Sequence, residues 1–403
     1  MTSIHTKLLI LADDLTGALD SGVQLSRKGD KVLIRTDIHH VFENTDADVL
    51  VVDTETRHIP AEDAYRIVYD LVKGALAAGI NRIYKKTDSG LRGNVGAELT
   101  AVLDATGEKR LAFVPAWPKM NRTTKNGIHY VNGVPLAESI FASDVIDPVT
   151  ESSIDKLIHL QSDMEVTLHK DGQNEQGIVV YDCTSDEELT KICGELFTGD
   201  EKYQLAAGCA GLLEKYPTQA ETCRTEKEEV KLGRELLVLS GSMNDVTRKQ
   251  LENAERNGAY RVHVPMPKII SGTWTQAEID QFTEDFLKQA DTPVAVIDTM
   301  TDLGDISQCR NPAEAIACYM GRTAKSLIEH GMDKTFMIIG GDTLQGFIRE
   351  LGITALEPVR EMAPGIVLAK YRHNDKIHYL ITKSGGFGTE DQLTEIQEKL
   401  QEG

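Results

Sequence analysis

The sequence predicts an α/β protein of two domains, each a mostly parallel β-sheet flanked by helices. Short apolar runs alternate with stretches of helical periodicity along the chain. The alternation halts in a polar, charge-dense stretch, Glu214–Arg234, which holds Pro217 and the run Arg224-Thr225-Glu226-Lys227-Glu228-Glu229, and then restarts. The length of 403 residues suits two or three domains of about 150 residues each. The domains are therefore placed at 1–225 and 230–403.

The elements follow in order. Lys7–Ala12 is short, apolar and ended by Asp13-Asp14, which reads as a buried strand. Leu15, Ala18, Leu19 and Val23 fall at helical spacing, so Leu15–Ser26 is predicted as the following helix. Lys31–Arg35 and Asp48–Val52 are strands, and Ala61–Ala78 is a helix opened by Pro60 and closed by Gly79. Strands Arg82–Lys85 and Leu111–Val114 flank a helix at about Val95–Leu103. Asn132-Gly133 within Ile128–Val134 signals a hairpin. Ile178–Asp182 is a strand, followed by helix Ser185–Phe197 with Ser185 as N-cap. After the boundary the predicted strands are Leu236–Leu239, Arg261–Val264, Val294–Asp298, Thr335–Ile339, Gly365–Ala369 and Ile377–Ile381. Helices are predicted at Val246–Asn257, Gln276–Ala290, Glu314–His330, Leu344–Leu351 and Glu390–Leu400. This alternation indicates parallel sheets with helices on both faces.

Composition narrows the function. Lys+Arg number 43 against 63 Asp+Glu, a formal charge of −20. Such a chain lacks the basic face that nucleic acid requires, and it is repelled by anionic lipid. Six cysteines without a CxxC pair fit neither a zinc knuckle nor a disulfide scaffold. They are expected as buried free thiols in a reducing, cytoplasmic setting. The opening apolar run, Leu8–Ala12, is too short for a signal-peptide core, and no 18-residue apolar stretch occurs.

In open α/β sheets, ligands bind beyond the carboxyl ends of the strands. There the first half carries Asp13-Asp14, of which one can cap the next helix and the other can face a ligand. Arg57 follows the third strand as either a carboxylate fork or a surface arginine. The turn Lys85-Lys86-Thr87-Asp88-Ser89-Gly90-Leu91-Arg92-Gly93-Asn94 mixes cations, hydroxyls, an acid and glycines, which suits an anionic, hydroxylated ligand. The donor-rich loop Pro115–Thr124 is placed to cover the same pocket. The second half carries three glycine turns: Ser240-Gly241-Ser242-Met243-Asn244, Gly340-Gly341-Asp342-Thr343 and Lys383-Ser384-Gly385-Gly386-Phe387-Gly388. Glycine lets a ligand approach backbone N–H groups, and a helix N-terminus favours phosphate. These turns match neither a P-loop nor a GxGxxG fingerprint. No HExxH, GxSxG or HRD sequence is present, and His39-His40 reads as a solvated turn.

Leu11–Ala18, Lys85–Ser89 with Arg92-Gly93-Asn94, Leu239–Ser242, Gly340–Thr343 and Lys383–Gly388 together resemble the signatures of the four-carbon acid sugar kinases, in order and spacing over nearly the whole chain. The resemblance implies a sugar-acid-binding N-terminal domain, a nucleotide-binding C-terminal domain and an active site in the cleft between them. It implies ATP- and Mg²⁺-dependent phosphorylation of the terminal (4-) hydroxyl of D-threonate or D-erythronate. The 3-oxo-tetronate kinases are the alternative within the family, where an aromatic- and cysteine-containing version of the Lys85–Asn94 turn is expected. Carried over by motif position, Asp14, Arg57, Lys86, Thr87, Asp88 and Ser89 would bind the sugar acid. Ser240, Gly340, Gly341, Asp342, Thr343 and Gly386 would bind ATP. Asp342, and after it Asp88, is the acid expected to orient or deprotonate the attacking hydroxyl; Asp342 is alternatively a Mg²⁺ ligand or a helix N-cap. The resemblance assigns no metal ligands and leaves homo-oligomerisation open. Two rival readings are a metal-dependent sugar-acid epimerase or dehydratase using Asp13, Asp14 and Asp88, and a non-catalytic sensor of sugar acid and nucleotide. The first leaves the glycine turns unexplained, and the second lacks an output module.

Overall fold

A computed structural model describes residues 6–43, 45–144, 147–170, 173, 175–197, 205–218, 230, 232–300, 309 and 311–402. The chain divides into two compact units, Met1–Thr225 and Glu226–Gly403. Of the boundary stretch Glu214–Arg234, residues 219–229 and 231 lie outside the described residues, and Cys223 with them.

The first unit carries strands β1 (Leu8–Ala12), β2 (Val32–Arg35), β3 (Val49–Asp53), β4 (Ile83–Lys86), β5 (Arg110–Val114), β6 (Arg122–Lys125), β7 (Ile128–Val131), β8 (Val134–Pro135), β9 (Val166–Leu168), β10 (Gly177–Val180) and β11 (Leu205–Gly208). Its helices are α1 (Leu15–Ser26), α2 (Ala61–Ala77), α3 (Val95–Thr106), α4 (Ile154–His159), α5 (Asp186–Phe197) and α6 (Ala210–Lys215). The strands run in the order β2-β3-β1-β4-β11-β5-β10-β9, all parallel. Every residue of β1 and β3 is buried, as expected of central strands covered on both faces. Helix α1 packs with α6, and α3 packs with α2 and α4. The chain leaves the adjacent strands β1 and β4 into these two separate layers, which makes a switch point where ligands bind in such sheets.

A separate antiparallel meander, β6-β7-β8, corrects the reading of Pro115–Thr124 as a loop throughout. The sequence Arg122-Thr123-Thr124-Lys125 is too polar to register as a strand, yet Asn126-Gly127 beside it is a second hairpin signal. Both turns, Asn126-Gly127 and Asn132-Gly133, have positive φ at each residue. Strands β9 and β11 and helices α4 and α6, each six residues or fewer, also went unforeseen in the sequence.

The second unit carries β12 (Leu236–Ser240), β13 (Tyr260–His263), β14 (Val294–Asp298), β15 (Thr335–Ile339), β16 (Ala355–Ala363), β17 (Ile366–His373) and β18 (Lys376–Lys383). Its helices are α7 (Asp245–Arg256), α8 (Met266–Ser271), α9 (Gln276–Leu287), α10 (Pro312–Glu329), α11 (Gly341–Leu351) and α12 (Gln392–Glu402). The order is β13-β14-β12-β15-β18-β17-β16. The first five strands are parallel, while β18, β17 and β16 pair antiparallel, so this sheet is mostly parallel, as the sequence predicts. Asn374-Asp375, both left-handed, turn β17 into β18. Strand β16 escaped the sequence reading because Pro358 interrupts it, and its pairing with β17 shifts register between Pro358 and Arg360, an irregularity that tolerates proline. Each unit has its own apolar cluster. Cys183, Cys193 and Cys209 are buried free thiols, whereas Cys309 and Cys318 are half-buried. Among the described residues no helix is long and apolar enough to cross a membrane.

Candidate active site

At the switch point of the first unit, the carboxyl ends of β1, β3 and β4 bring acids and cations together. Asp14 is the N-cap of α1: its Oδ1 accepts from the Gly17 N–H at 2.8 Å, and its Oδ2 accepts from the Thr16 hydroxyl at 2.7 Å. Arg57 donates from Nε to Asp13 at 2.8 Å and from Nη1 to Asp14 at 2.8 Å, with Asp88 3.8 Å from Nη2. Its fork is thus filled from within the protein. Arg57 and Lys86 hold the Asp14 carboxyl low against desolvation, and Arg92, with Arg57 and Lys86, holds Asp88 well below the usual carboxylate range.

Asp88 accepts from Arg92 Nε at 2.8 Å and from Arg92 Nη2 at 3.0 Å, a bidentate pair, and also from the Gly90 N–H at 3.0 Å. Arg92 reaches Asp144 as well, at 2.9 Å. Lys86 is buried and donates to the Thr87 carbonyl at 3.0 Å. Its Nζ lies 3.0 Å from where a Cβ on residue 17 would stand, so Gly17 gives this ammonium its room. Thr87 Oγ1 is buried and has no hydrogen-bond partner among the described residues.

Beneath this layer, Lys85 and Glu98 form a fully buried pair at 3.0 Å, and Glu98 also accepts from the Thr56 hydroxyl. Asn94 Nδ2 donates to the carbonyls of Thr56 and Ile59, both at 2.7 Å. The β6–β7 hairpin supports the turn from the other side. His129 sits 3.2 Å from the Ser89 carbonyl through Nε2 and 3.2 Å from the Thr124 hydroxyl through Nδ1. Burial pushes the His129 imidazole down to about 4, so it is neutral near pH 7 and braces the turn as a hydrogen-bonding group.

In the second unit the three glycine turns follow β12, β15 and β18, which are consecutive parallel strands. They therefore lie side by side at one sheet edge, where α7 and α11 begin. The Thr343 hydroxyl accepts from the Gly241 N–H at 3.0 Å and ties the first turn to the second. Gly340 has φ +106, which a side chain rarely adopts, and it is the N-cap of α11. Asp342 therefore stands inside the first helical turn, exposed, and is not the cap. Lys383 is buried at the end of β18, and its Nζ donates to the carbonyls of Ser384 (3.0 Å), Phe387 (3.1 Å) and Gly385 (3.2 Å). Burial pushes this ammonium down to about 7. Ser240 Oγ is buried and has no partner among the described residues. Among the described residues no group of three or more His, Cys, Asp or Glu side chains could hold a metal ion.

Comparison with known proteins connects these two edges. A profile described as a sugar-binding N-terminal domain matches residues 8–216, and one described as a nucleotide-binding C-terminal domain matches residues 237–393. A D-threonate kinase of Salmonella typhimurium is 30% identical, over 98% of this chain and 99% of that protein. The chain belongs to the four-carbon acid sugar kinase family. Other members of this kinase family match at similar length. A D-erythronate kinase of Heliobacterium modesticaldum is 26% identical over 96% of this chain and 95% of its own length. A 3-oxo-tetronate kinase of Burkholderia multivorans is 25% identical over 97% of each. A crystal structure from Salmonella typhimurium LT2 has the same fold, with a TM-score of 0.80 at 23% identity, over 97% of this chain and 99% of that one.

For this kinase, the structure gathers the sequence-derived residues Asp14, Arg57, Lys86, Thr87, Asp88 and Ser89 at one switch point. It gathers Ser240, Gly340, Gly341, Asp342, Thr343 and Gly386 at one edge of the other unit. It gives Arg57 to Asp13 and Asp14, and it makes Asp88 a firmly paired, low-lying carboxylate. Sequence reasoning passed over Arg122, His129 and Lys383 as individual residues. The second Asn-Gly pair was the one available signal for Arg122 and His129.

Proposed function

We propose that the protein is an ATP-dependent kinase that phosphorylates the 4-hydroxyl of a four-carbon sugar acid, with D-threonate as first choice and D-erythronate next. The observation that carries this reading is the pairing of a cation-rich switch point in the unit matched as sugar-binding with three glycine turns on adjacent strands in the unit matched as nucleotide-binding. The D-threonate kinases of Salmonella typhimurium and Bordetella bronchiseptica, 30% and 27% identical, support the choice of substrate.

Phosphoryl transfer needs positioning and charge neutralisation more than covalent chemistry. Lys86 attracts the acid's carboxylate, while Thr87 Oγ1, the Ser89 hydroxyl and Asp14 offer hydrogen bonds to its hydroxyls. The N–H groups of the Ser240–Asn244, Gly340–Thr343 and Ser384–Gly388 turns take the ATP phosphates, helped by the positive ends of α7 and α11. Asp342, the acid within these turns, accepts the proton of the attacking hydroxyl or holds Mg²⁺. Mg²⁺ keeps several waters and asks for one or two carboxylates besides the phosphates, which an exposed single acid fits; it supplies neutralisation of the phosphate charge. The hydroxyl oxygen bonds to the γ-phosphorus, the bond to the β-phosphate oxygen breaks, and ADP leaves.

ADP release measured against a panel of tetronates, with and without Mg²⁺, tests the reading. Turnover of D-threonate or D-erythronate supports it. Turnover of the 3-oxo acid alone moves the protein to the other branch, and conversion of the acid without ATP replaces the kinase reading.

A further inference from the structure

We propose that Arg122, acting with Lys86, binds the carboxylate of the sugar acid, while Arg57 shapes the site from inside. This rests on the sugar-acid reading above and deepens it.

Four side-chain cations surround the Thr87–Asp88 turn: Arg57, Lys86, Arg92 and Arg122. Four carboxylates, Asp13, Asp14, Asp88 and Asp144, stand among them. Arg57 takes Asp13 and Asp14, and Arg92 takes Asp88 and Asp144, all at 2.8–2.9 Å. Lys86 and Arg122 are left over. Among the described residues, neither has a carboxylate within ion-pair distance. Both act electrostatically on the same two groups, the Asp88 carboxylate and the buried Cys209 thiol, so both lie near the turn. Two unmatched cations beside a buried, unpartnered hydroxyl, Thr87 Oγ1, make a recognition set for a hydroxylated anion.

The arginine presents the right edge. Its Nη1 donates to the Met120 carbonyl at 2.5 Å, while Nε is buried without a partner and Nη2 bonds to no described residue. Nε and Nη2 form the side of the guanidinium that matches the two oxygens of a carboxylate. Burial holds the Arg122 guanidinium below its ordinary value, so its charge lacks compensation that a bound anion would provide. Its backbone is fixed by a two-way bridge to Trp117, at 2.8 and 3.1 Å, and its head lies 5.8 Å from the centre of the Phe141 ring. Arg92 lies over the same ring at 5.1 Å, so one aromatic ring contacts both the Asp88-bound arginine and the unmatched one.

The test compares a tetronate with its neutral four-carbon polyol, in which CH₂OH replaces the carboxylate, for wild type, Arg122→Met and Arg122→Lys. Losing a bond to a charged group costs about 10- to 100-fold. In Arg122→Met, KM for the acid should rise by about that factor, with kcat, KM for ATP, KM for the polyol and melting temperature near wild type. Arg122→Lys keeps the charge but not the edge, and should recover part of the loss; should the Met variant not fold, it decides alone. Wild-type KM for the acid in both variants overturns the proposal, as does a loss shared equally by acid and polyol. Absence of turnover of any tetronate by wild type overturns the sugar-acid reading itself and this proposal with it.

Discussion

Replacing Arg57 with Ala leaves Asp13 and Asp14 close together with no guanidinium between them. Removing one partner from a buried ion pair typically costs about 3–5 kcal/mol, because the remaining charge stays uncompensated. Arg57→Ala should therefore show a loss of this size in urea unfolding, beyond any change in sugar-acid affinity; wild-type stability would return Arg57 to the role of a ligand anchor. His129 gives a pH signature. Its value is about 4 in the folded protein against about 6.5 in an unfolded chain. Between these values the unfolded chain binds the extra proton, so stability falls as pH drops from about 6.5 to about 4, by up to about 3 kcal/mol. The stability that the low-lying carboxylates of Asp14 and Asp88 supply is lost only at lower pH, below their ordinary range, and is fully present above it. Urea midpoints measured across this window should flatten in His129→Gln, and an unchanged slope would assign it to other groups. Asp342→Asn cannot be excused as loss of a cap, since Gly340 holds that position. Its kcat should fall by roughly 10²–10⁴ if Asp342 is the base or a metal ligand. Full activity would remove it from the chemistry, and the paired, low-lying Asp88 is poorly suited to replace it.

At the scale of elements, the third glycine turn depends on Lys383, which gathers three carbonyls of the Ser384–Phe387 segment onto one ammonium. Lys383→Met should raise KM for ATP by roughly 10²-fold, the effect of two or three lost hydrogen bonds, and leave KM for the sugar acid alone. Wild-type affinity should weaken as pH rises through about 7, where the ammonium loses its third N–H; the variant should lack that dependence. Gly386 offers a cleaner probe of the nucleotide. A Cβ there would meet nothing nearer than Asn244 Nδ2 at 3.8 Å, so the fold accepts a side chain. If Gly386→Val abolishes ATP binding with unchanged melting temperature, the bulk is meeting ligand; normal ATP binding removes this turn from the nucleotide site.

For the whole molecule, the two units each carry an apolar cluster and a strand-end site of their own. Amide exchange in the intact chain should separate the ligands. A tetronate should slow exchange at 84–94 and 117–130, and a non-hydrolysable ATP analogue at 240–247, 340–347 and 384–389. Protection of the first unit alone by the ATP analogue would overturn the division of labour.

Hydrophobic periodicity and turn chemistry are local properties, and they were readable in the sequence. The β/α alternation, the span of α1, the Asn132-Gly133 hairpin and the placement of the polar turns after strands all follow from neighbours within a few residues. Short or polar elements such as β6, and the Pro-interrupted β16, carried too little of that signal. What only the tertiary structure decided is which charges meet. Arg57 reaches Asp13 across 44 residues, Arg92 reaches Asp144 across 52, and His129 reaches Ser89 across 40. Such pairs depend on strand order and on where a hairpin folds back, and residue spacing along the chain holds neither. That is why Arg57 reads in sequence as a ligand's anchor and is held by the protein's own acids, while Arg122, inconspicuous in a donor-rich loop, is the guanidinium near the Thr87–Asp88 turn that pairs with no acid among the described residues.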